Sequence, residues 1–356
     1  MIETGVYFGN IHSFTDLDLI FSGATIPPAT PKQNFIDIPG ADGSVDMTEA
    51  FGEVKYSDRT GAKFTFYMNP AGDLSEAAWE AKKTEISNLL NGLRCNITLD
   101  KDPGYYWQGR CKIDEHSSKK KLRKFVVGAR LAPYKLKQDV TRAFVPLCGK
   151  NLLDMSEANQ LQQLYGSVEY IPNGVRKSGS YFVGFNASVN TNTAYFLSVN
   201  IKKITSASVP TNGGRLAVYD KAVKNHIASF GSAEGNAVFT FNSGKYTEIA
   251  VLLYSDSSDS QGVYEFTNVQ LEAGEATEYE AFTPVESKDI ILTNSRRTVC
   301  PTIYCTGEAV IDAVGAEFNI GEGTHKILDL QLKEGETPVT VSGTGAVTFV
   351  YQEGDL

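Results

Sequence analysis

The chain has 356 residues, 42% hydrophobic and 11% aromatic, with 32 glycines and a formal net charge of −9. At roughly 100–200 residues per domain this length implies two or three domains, and the negative charge argues against a general nucleic-acid or anionic-membrane binder, because phosphate recognition needs a basic surface. Five cysteines without C-x-x-C spacing (Cys95, Cys111, Cys148, Cys300, Cys305) argue for reduced buried thiols rather than a disulfide framework or zinc site. The first ten residues show no basic stretch leading into an apolar one, and no run approaches the roughly 20 apolar residues of a membrane span, so synthesis and folding in cytoplasm are expected.

Residues 1–135 read as strands around one helix. In Ile36 to Asp46, Pro39-Gly40 and Asp42-Gly43 are turn pairs beside extended chain. Ala62 to Met68 alternates, with Phe64, Phe66 and Met68 on one side, as a half-buried strand does. Asp73 with Glu76 three residues on reads as a capping box. Trp79, Ile86, Leu90 and Leu93 recur at helical spacing before the stop at Asn91-Gly92, which predicts an amphipathic helix over about 74–91 packed on a sheet. Arg110, Lys112, Lys119, Lys120, Lys121, Arg123 and Lys124 form a basic cluster, either a solvated hairpin tip or a contact for an acidic neighbouring subunit. The following strand, Phe125 to Leu131, is expected to end at Ala132-Pro133-Tyr134.

A second unit is expected over 151–284, with strands at Tyr195–Ile201, Arg215–Tyr219, Glu248–Tyr254 and Tyr264–Glu272. Polar spacers at 211–214, 242–244 and 255–262, and the lack of a helical pattern, make it a β-sandwich. The last stretch, 285–356, holds further short strands at Ile290–Leu292, Thr302–Cys305, Ala309–Ile311, Lys326–Leu332, Val339–Val341 and Val347–Tyr351. About 70 residues is small for a complete sandwich, so this part is expected to borrow a strand from around Val140–Leu147. The third unit is then 136–150 plus 285–356, interrupted by the second as an insertion in a surface loop.

Ile38-Pro39-Gly40-Ala41-Asp42-Gly43-Ser44, a Gly-x-x-x-Tyr stretch (Gly52 to Tyr56), the strand and helix above, then Tyr106-Trp107-Gln108-Gly109-Arg110-Cys111, a basic hairpin and Ala132-Pro133-Tyr134 occur in the order that resembles siphophage distal tail proteins, the Dit family. The C-terminal part, with Asn294, Pro301-Thr302-Ile303 and Gly307, is similar to that family's galectin-like domain. The resemblance implies a mainly β chain: an N-terminal sandwich or barrel-like domain with one helix and an extended arm, then a galectin-like sandwich. It also implies a homo-hexameric ring at the virion tail tip. The tail tube protein would lie above, the tail-tip hub or tail-associated lysin below, and a receptor-binding protein is a further partner. The segment around 35–60, with Ile38, Pro39, Gly40, Asp42 and Gly43, would be the arm that laps onto the next copy.

Asn151-Leu152-Leu153 and the stretch from Asn268 to Glu280 resemble the two ends of a jelly-roll carbohydrate-binding module, implying adhesion to a host cell-wall polysaccharide or other surface glycan. Sugar recognition needs aromatic faces and polar groups. Strand parity turns Phe196, Asn200, Tyr219 and Tyr254 outward, where they could share one face. No cofactor is required. Modules of this type can hold structural calcium, for which Asp154, Asp256, Asp259 and Glu272 offer oxygen ligands. His12, His116, His226 and His325 form no H-E-x-x-H, and there is no G-x-S-x-G elbow, so the chain is expected not to be an enzyme. The alternatives are a free glycan-binding protein or a non-catalytic fragment of a polysaccharide hydrolase.

Overall fold

A computed structural model describes residues 4–50, 52–119, 122–156, 158, 160–162, 167–178, 182–204, 214–255 and 262–356. Lys120, Lys121 and the spacers 211–213 and 256–261 lie outside the described residues. The fold is mainly β, with the one expected helix among the described residues.

The first part contains β1 (Val6–Phe8), β2 (Ile11–His12), β3 (Leu19–Thr25), β4 (Thr30–Pro31), β5 (Phe35–Asp37), β6 (Ser44–Asp46), β7 (Tyr56–Ser57), β8 (Arg59–Met68), α1 (Glu76–Leu90), β9 (Arg94–Leu99), β10 (Tyr105–Lys119) and β11 (Leu122–Lys137). Its main sheet runs β2-β1-β9-β10-β11-β8-β3. The sheet curls on itself: Phe8 of β1 meets Phe64 of β8 edge-on, ring centres 5.7 Å apart, although three strands separate them in the hydrogen-bonded order. The curl encloses Val6, Phe8, Phe64, Phe66, Ile97, Val127 and Leu131.

Helix α1 adds Trp79, Ile86 and Leu90 to this core, with Trp79 4.6 Å from Phe125. Its cap differs from expectation. Ser75, not Asp73, accepts from the Ala78 N–H at 3.2 Å, while Asp73 accepts from the Ser75 N–H at 2.8 Å. A serine next to the first turn satisfies the free N–H more directly, and Asp73 fixes the serine.

The strand expected to stop at Ala132-Pro133-Tyr134 continues. Leu131 pairs with Gly109 and Lys135 with Trp107, so residues 132–134 bulge opposite Gln108. Proline, without an N–H to give the ladder, is tolerated where the ladder is interrupted. The buried Arg59 ties the bulge down, donating to the Pro133 carbonyl at 2.9 Å and the Pro27 carbonyl at 2.8 Å.

After β12 (Thr141–Pro146) come β13 (Gln160–Gln162), β14 (Val168–Ile171), β15 (Gly174–Ser178), β16 (Phe182–Ser188), β17 (Ala194–Lys203), β18 (Gly214–Asp220), β19 (His226–Ala233), β20 (Gly235–Asn242), β21 (Glu248–Ser255) and β22 (Val263–Ala273). They make two five-stranded sheets, β13-β16-β21-β18-β19 and β14-β15-β22-β17-β20. Val183, Phe185, Leu216 and Val251 of the first meet Val175, Tyr195, Leu197 and Phe266 of the second in one core.

The chain ends with β23 (Ser287–Asn294), β24 (Thr302–Cys305), β25 (Ala309–Ala313), β26 (Ala316–Ile320), β27 (Gly323–Lys326), β28 (Gly335–Gly343), β29 (Ala346–Tyr351) and β30 (Gly354–Asp355). Sheets β12-β29-β24-β27 and β23-β28-β25-β26 face each other across Val145, Ile303, Phe349, Leu292, Ile311 and Val341. The strand expected at Lys326–Leu332 ends at Lys326; Leu330 and Leu332 are buried from a turn segment pinned by reciprocal Val299–Leu332 hydrogen bonds. A run of apolar residues signals burial, not extension.

The segments leading into and out of the middle sandwich lie side by side. Gly149 N–H donates to the Thr283 carbonyl at 2.8 Å, and Val285 N–H to the Leu147 carbonyl at 3.1 Å. Just inside, the buried Asn151 accepts from the Leu271 N–H and donates to the Val269 carbonyl. At the far end β30 pairs with β11, and Glu353 accepts from Lys137 at 2.7 Å and Thr141 at 2.6 Å. Burial opposes ionisation of Glu353, but the hydrogen bonds from Lys137 and Thr141 together with the Lys137 charge outweigh it and leave the carboxyl below its usual range.

Candidate functional site

The first candidate is the arm. Phe35 pairs with Asp46, Ile36 with Val45 and Asp37 with Ser44, so β5 and β6 form a hairpin rather than the single extended segment expected. Gly40 (φ +84°) and Gly43 (φ +79°) take left-handed backbone that suits glycine, and the Ala41 N–H returns to the Ile38 carbonyl at 3.1 Å. Ile38, Pro39, Gly40, Asp42 and Gly43 are therefore the hairpin tip. Two Pro/Asp-Gly turns close together bend the chain back, and the Ser44 hydroxyl bonds Asp37 at 2.6 Å across the two strands.

Every residue from 31 to 46 is exposed, including Phe35 at 53%, Ile36 at 48%, Ile38 at 49% and Val45 at 44%. The later part of the 35–60 segment instead folds back on the body. Tyr56 packs edge-on against Tyr134 with ring centres 5.9 Å apart, Arg296 donates to the Tyr56 hydroxyl at 3.2 Å, and Thr298 donates to Glu53.

The second candidate is the outside of the middle sandwich. Parity is as read: Tyr195, Leu197, Val199 and Ile201 are buried, while Phe196 and Asn200 are half-buried and point the other way. The four aromatic and amide candidates do not share a face, however. Phe196 and Asn200 lie on β17 in the β22 sheet, and Tyr219 and Tyr254 lie on β18 and β21 in the β21 sheet. Outward residues of two opposed sheets point away from each other.

The two outer faces differ in what covers them. On the β22 sheet, the outgoing segment 274–280 lies against Gln270 and Glu272, which are 0% and 3% exposed. Gln270 accepts from the Glu280 N–H at 2.6 Å, and Glu272 accepts from the Thr277 N–H at 2.9 Å and hydroxyl at 2.6 Å. Phe196 sits directly across from Glu272, Asn200 spends its amide on Asn236 at 2.6 Å, and Arg176 is paired with Glu169 and Glu265.

On the β21 sheet, the register places Phe182, Tyr254 and Arg215 in one row and Asn186, Ala250 and Tyr219 in another. Between them runs a low floor of Gly184, Leu252 and Ala217. Tyr219 is held edge-on by His226, ring centres 5.1 Å apart. Phe182, Asn186 and Arg215 were absent from the sequence reading. The alternation of Val183, Phe185 and Ala187 with Phe182, Gly184 and Asn186 is the signal that could have found them.

Of the calcium candidates, Glu272 has both oxygens on Thr277, Asp154 accepts from the Ser156 N–H at 2.9 Å, and Asp256 and Asp259 lie outside the described residues. Among the described residues no group of three or more His, Cys, Asp or Glu is placed to hold a metal. The inner face of the β22 sheet carries a charge: Lys177 follows the parity of the core residue Val175, is fully buried, and burial pushes its amine down to about 8.

No protein-family model matches the chain, and no curated protein matches it. Among solved structures, the chain is similar to the SPP1 Dit protein, described as a paradigm of the hub adsorption apparatus in phages infecting Gram-positive bacteria, at 11% identity over 99% of each chain with a TM-score of 0.39. It is also similar to a variant of a family 29 carbohydrate-binding module, at 8% identity over 40% of this chain and 100% of the module with a TM-score of 0.24. A tandem pair of family 22 carbohydrate-binding modules from Paenibacillus barcinonensis aligns at 10% identity over 62% of this chain and 92% of the pair, with a TM-score of 0.22.

Proposed function

We propose that the chain is a structural subunit of a phage tail tip that closes into a homo-hexameric ring through its hairpin arm and carries, over 151–284, an inserted module that adheres to host-surface glycans. The observation that carries the assembly is the arm: sixteen consecutive exposed residues with four large apolar side chains on one short hairpin. Two paired strands alone are marginal in water. Such a hairpin gains stability by laying its apolar side chains and free edges on another chain. The same contact repeated head to tail about an axis closes a ring. The order of motifs from Ile38 to Tyr134 supports the tail reading, with tube protein above and hub below.

The glycan reading is supported by the outer face of the β21 sheet. Phe182, Tyr219 and Tyr254 are half-buried outward aromatic residues beside Asn186 and Arg215, around a floor of Gly184, Leu252 and Ala217. Six copies on one ring would bind a polymer with high effective concentration even if each site is weak. In this role the chain binds and connects rather than catalyses.

Light scattering of the full chain tests the assembly. A ring-sized particle is expected for the wild type, and a monomer for a variant in which 36–45 is replaced by a two-residue turn. A wild-type monomer that still binds glycan on an array would overturn the ring and favour a free glycan-binding protein.

A further inference from the structure

The outer face of the N-terminal sheet carries an arrangement that neither the ring nor the glycan reading uses. In the register of β9, β10 and β11, Arg94 stands directly opposite Arg110, and Arg110 directly opposite Arg130. Directly paired residues share a face, and this face is the outer one: Gly109 and Cys111, the neighbours of Arg110, turn toward the core. All three arginines are exposed. Like charges directly across a strand pair repel, so a row of three carries a standing cost that an anion removes.

The row is held in place rather than loose. Arg130 donates to Asp58 at 2.8 Å, and Arg110 donates to the Gly92 carbonyl at 2.7 Å. Arg94 has no hydrogen-bond or ion-pair partner among the described residues. The next row shows what neutralisation looks like. Lys63 and Lys112 flank Gly128, and Asp114 lies over that glycine, 3.0 Å from each ammonium. In the arginine row, Asp58 offsets one of three guanidiniums and two charges stay uncompensated. A cavity of about 300 Å³ opens on this row, lined by Arg94, Arg110, Arg130, Asp58, Gln108 and the bare backbone of Gly109.

We infer that the Arg94–Arg110–Arg130 row is a binding site for a phosphate group. Planar guanidinium forks match phosphate oxygens two at a time. The residual charge of the row matches a phosphate dianion better than a single carboxylate. The cavity has room for the phosphate and part of an attached carrier, with the Gln108 amide at its rim. On a chain of net charge −9, this patch is a local reversal of sign. The inference is independent of the ring and of the glycan face.

The test is calorimetric titration of the full chain with inorganic phosphate at low ionic strength. One phosphate per chain is expected. Arg94→Gln should weaken binding about tenfold, the size of one charge-assisted contact. Asp58→Asn should tighten binding, because it removes the competing carboxylate; both positions are surface sites, and circular dichroism verifies the fold. Acetate should bind much more weakly than phosphate. Glycerol 3-phosphate separates the sources: tighter binding than inorganic phosphate assigns a phosphoryl group on an organic carrier, and equal binding assigns the free ion. Absence of phosphate binding by the wild type, unchanged binding by Arg94→Gln, or acetate binding as tight as phosphate would overturn the inference.

Discussion

The two sheets of the middle sandwich are built to the same strand count and yet differ in what lines their outer faces. The β21 sheet is apolar inward and carries half-buried aromatic and polar side chains outward around Gly184, Leu252 and Ala217. The β22 sheet buries a lysine inward and closes its outer face with the chain's own outgoing segment and with ion pairs. Polar capacity on the second sheet is spent on holding the fold together. On the first, half-buried outward side chains stand around the buried Gly184, Leu252 and Ala217. A face's chemistry therefore depends on what the rest of the chain lays across it, as well as on its own residues.

The largest effect is expected inside the closed sheet. The Lys177 amine titrates at about 8 in the folded chain against an ordinary 10.5. Below pH 8 both states are protonated and the folded state bears the full desolvation cost. Between 8 and 10.5 the folded state gives up its proton first, so stability rises with pH. The stability gain of Lys177→Met over the wild type should shrink by about 3 kcal/mol through that window in urea denaturation. A gain that is the same at pH 7 and pH 10.5 would contradict it.

Next comes the cover. Gln270→Ala leaves the Glu280 N–H without its partner and should cost about 2 kcal/mol, with faster amide exchange at Glu280 and unchanged glycan binding. On the β21 sheet, Tyr219→Ala and Tyr254→Ala should each weaken glycan binding about tenfold on an array, with little change in melting temperature. The smallest effect is the control: Phe196→Ala and Asn200→Ala should alter glycan binding less than about twofold. If those two variants lose binding and the tyrosine variants keep it, the assignment of the glycan face to the β21 sheet is overturned.

Much of the fold was legible because it follows from local periodicity. The alternation of Phe64 and Phe66 with Lys63 and Thr65, and the helical recurrence of Trp79, Ile86 and Leu90, are short-range signals. Tyr195 to Ile201 likewise showed which residues face in. Which sheet each strand joins is set by pairing across tens of residues, and no local pattern carries it; this is why Phe196 and Tyr254 were read as neighbours.

Strand β22 shows a second limit. Tyr264 and Phe266 face the core, and so do Val269 and Leu271, because a bulge with Asn268 at φ +52° shifts the parity by one. The arm was expected from the resemblance and its turn pairs, but not as a hairpin. Two turns three residues apart read equally well as a kinked limb until the strand pairing is seen. The arginine row was hidden for the same reason as the outer face of the β21 sheet: Arg94, Arg110 and Arg130 meet only through registry between three strands.

The hydrogen bonds that join residues 147–149 to 283–285 have a practical corollary. The middle sandwich joins its host through two threads that are already zipped together, with Ser188–Thr306 and Lys221–Glu322 as side contacts. Cutting both threads there and tying the ends needs a bridge only one strand spacing wide, about 5 Å, and leaves the β12–β29 and β23–β28 registers as they are. A cassette mounted this way is expected to come out without re-threading the sandwich that carries it.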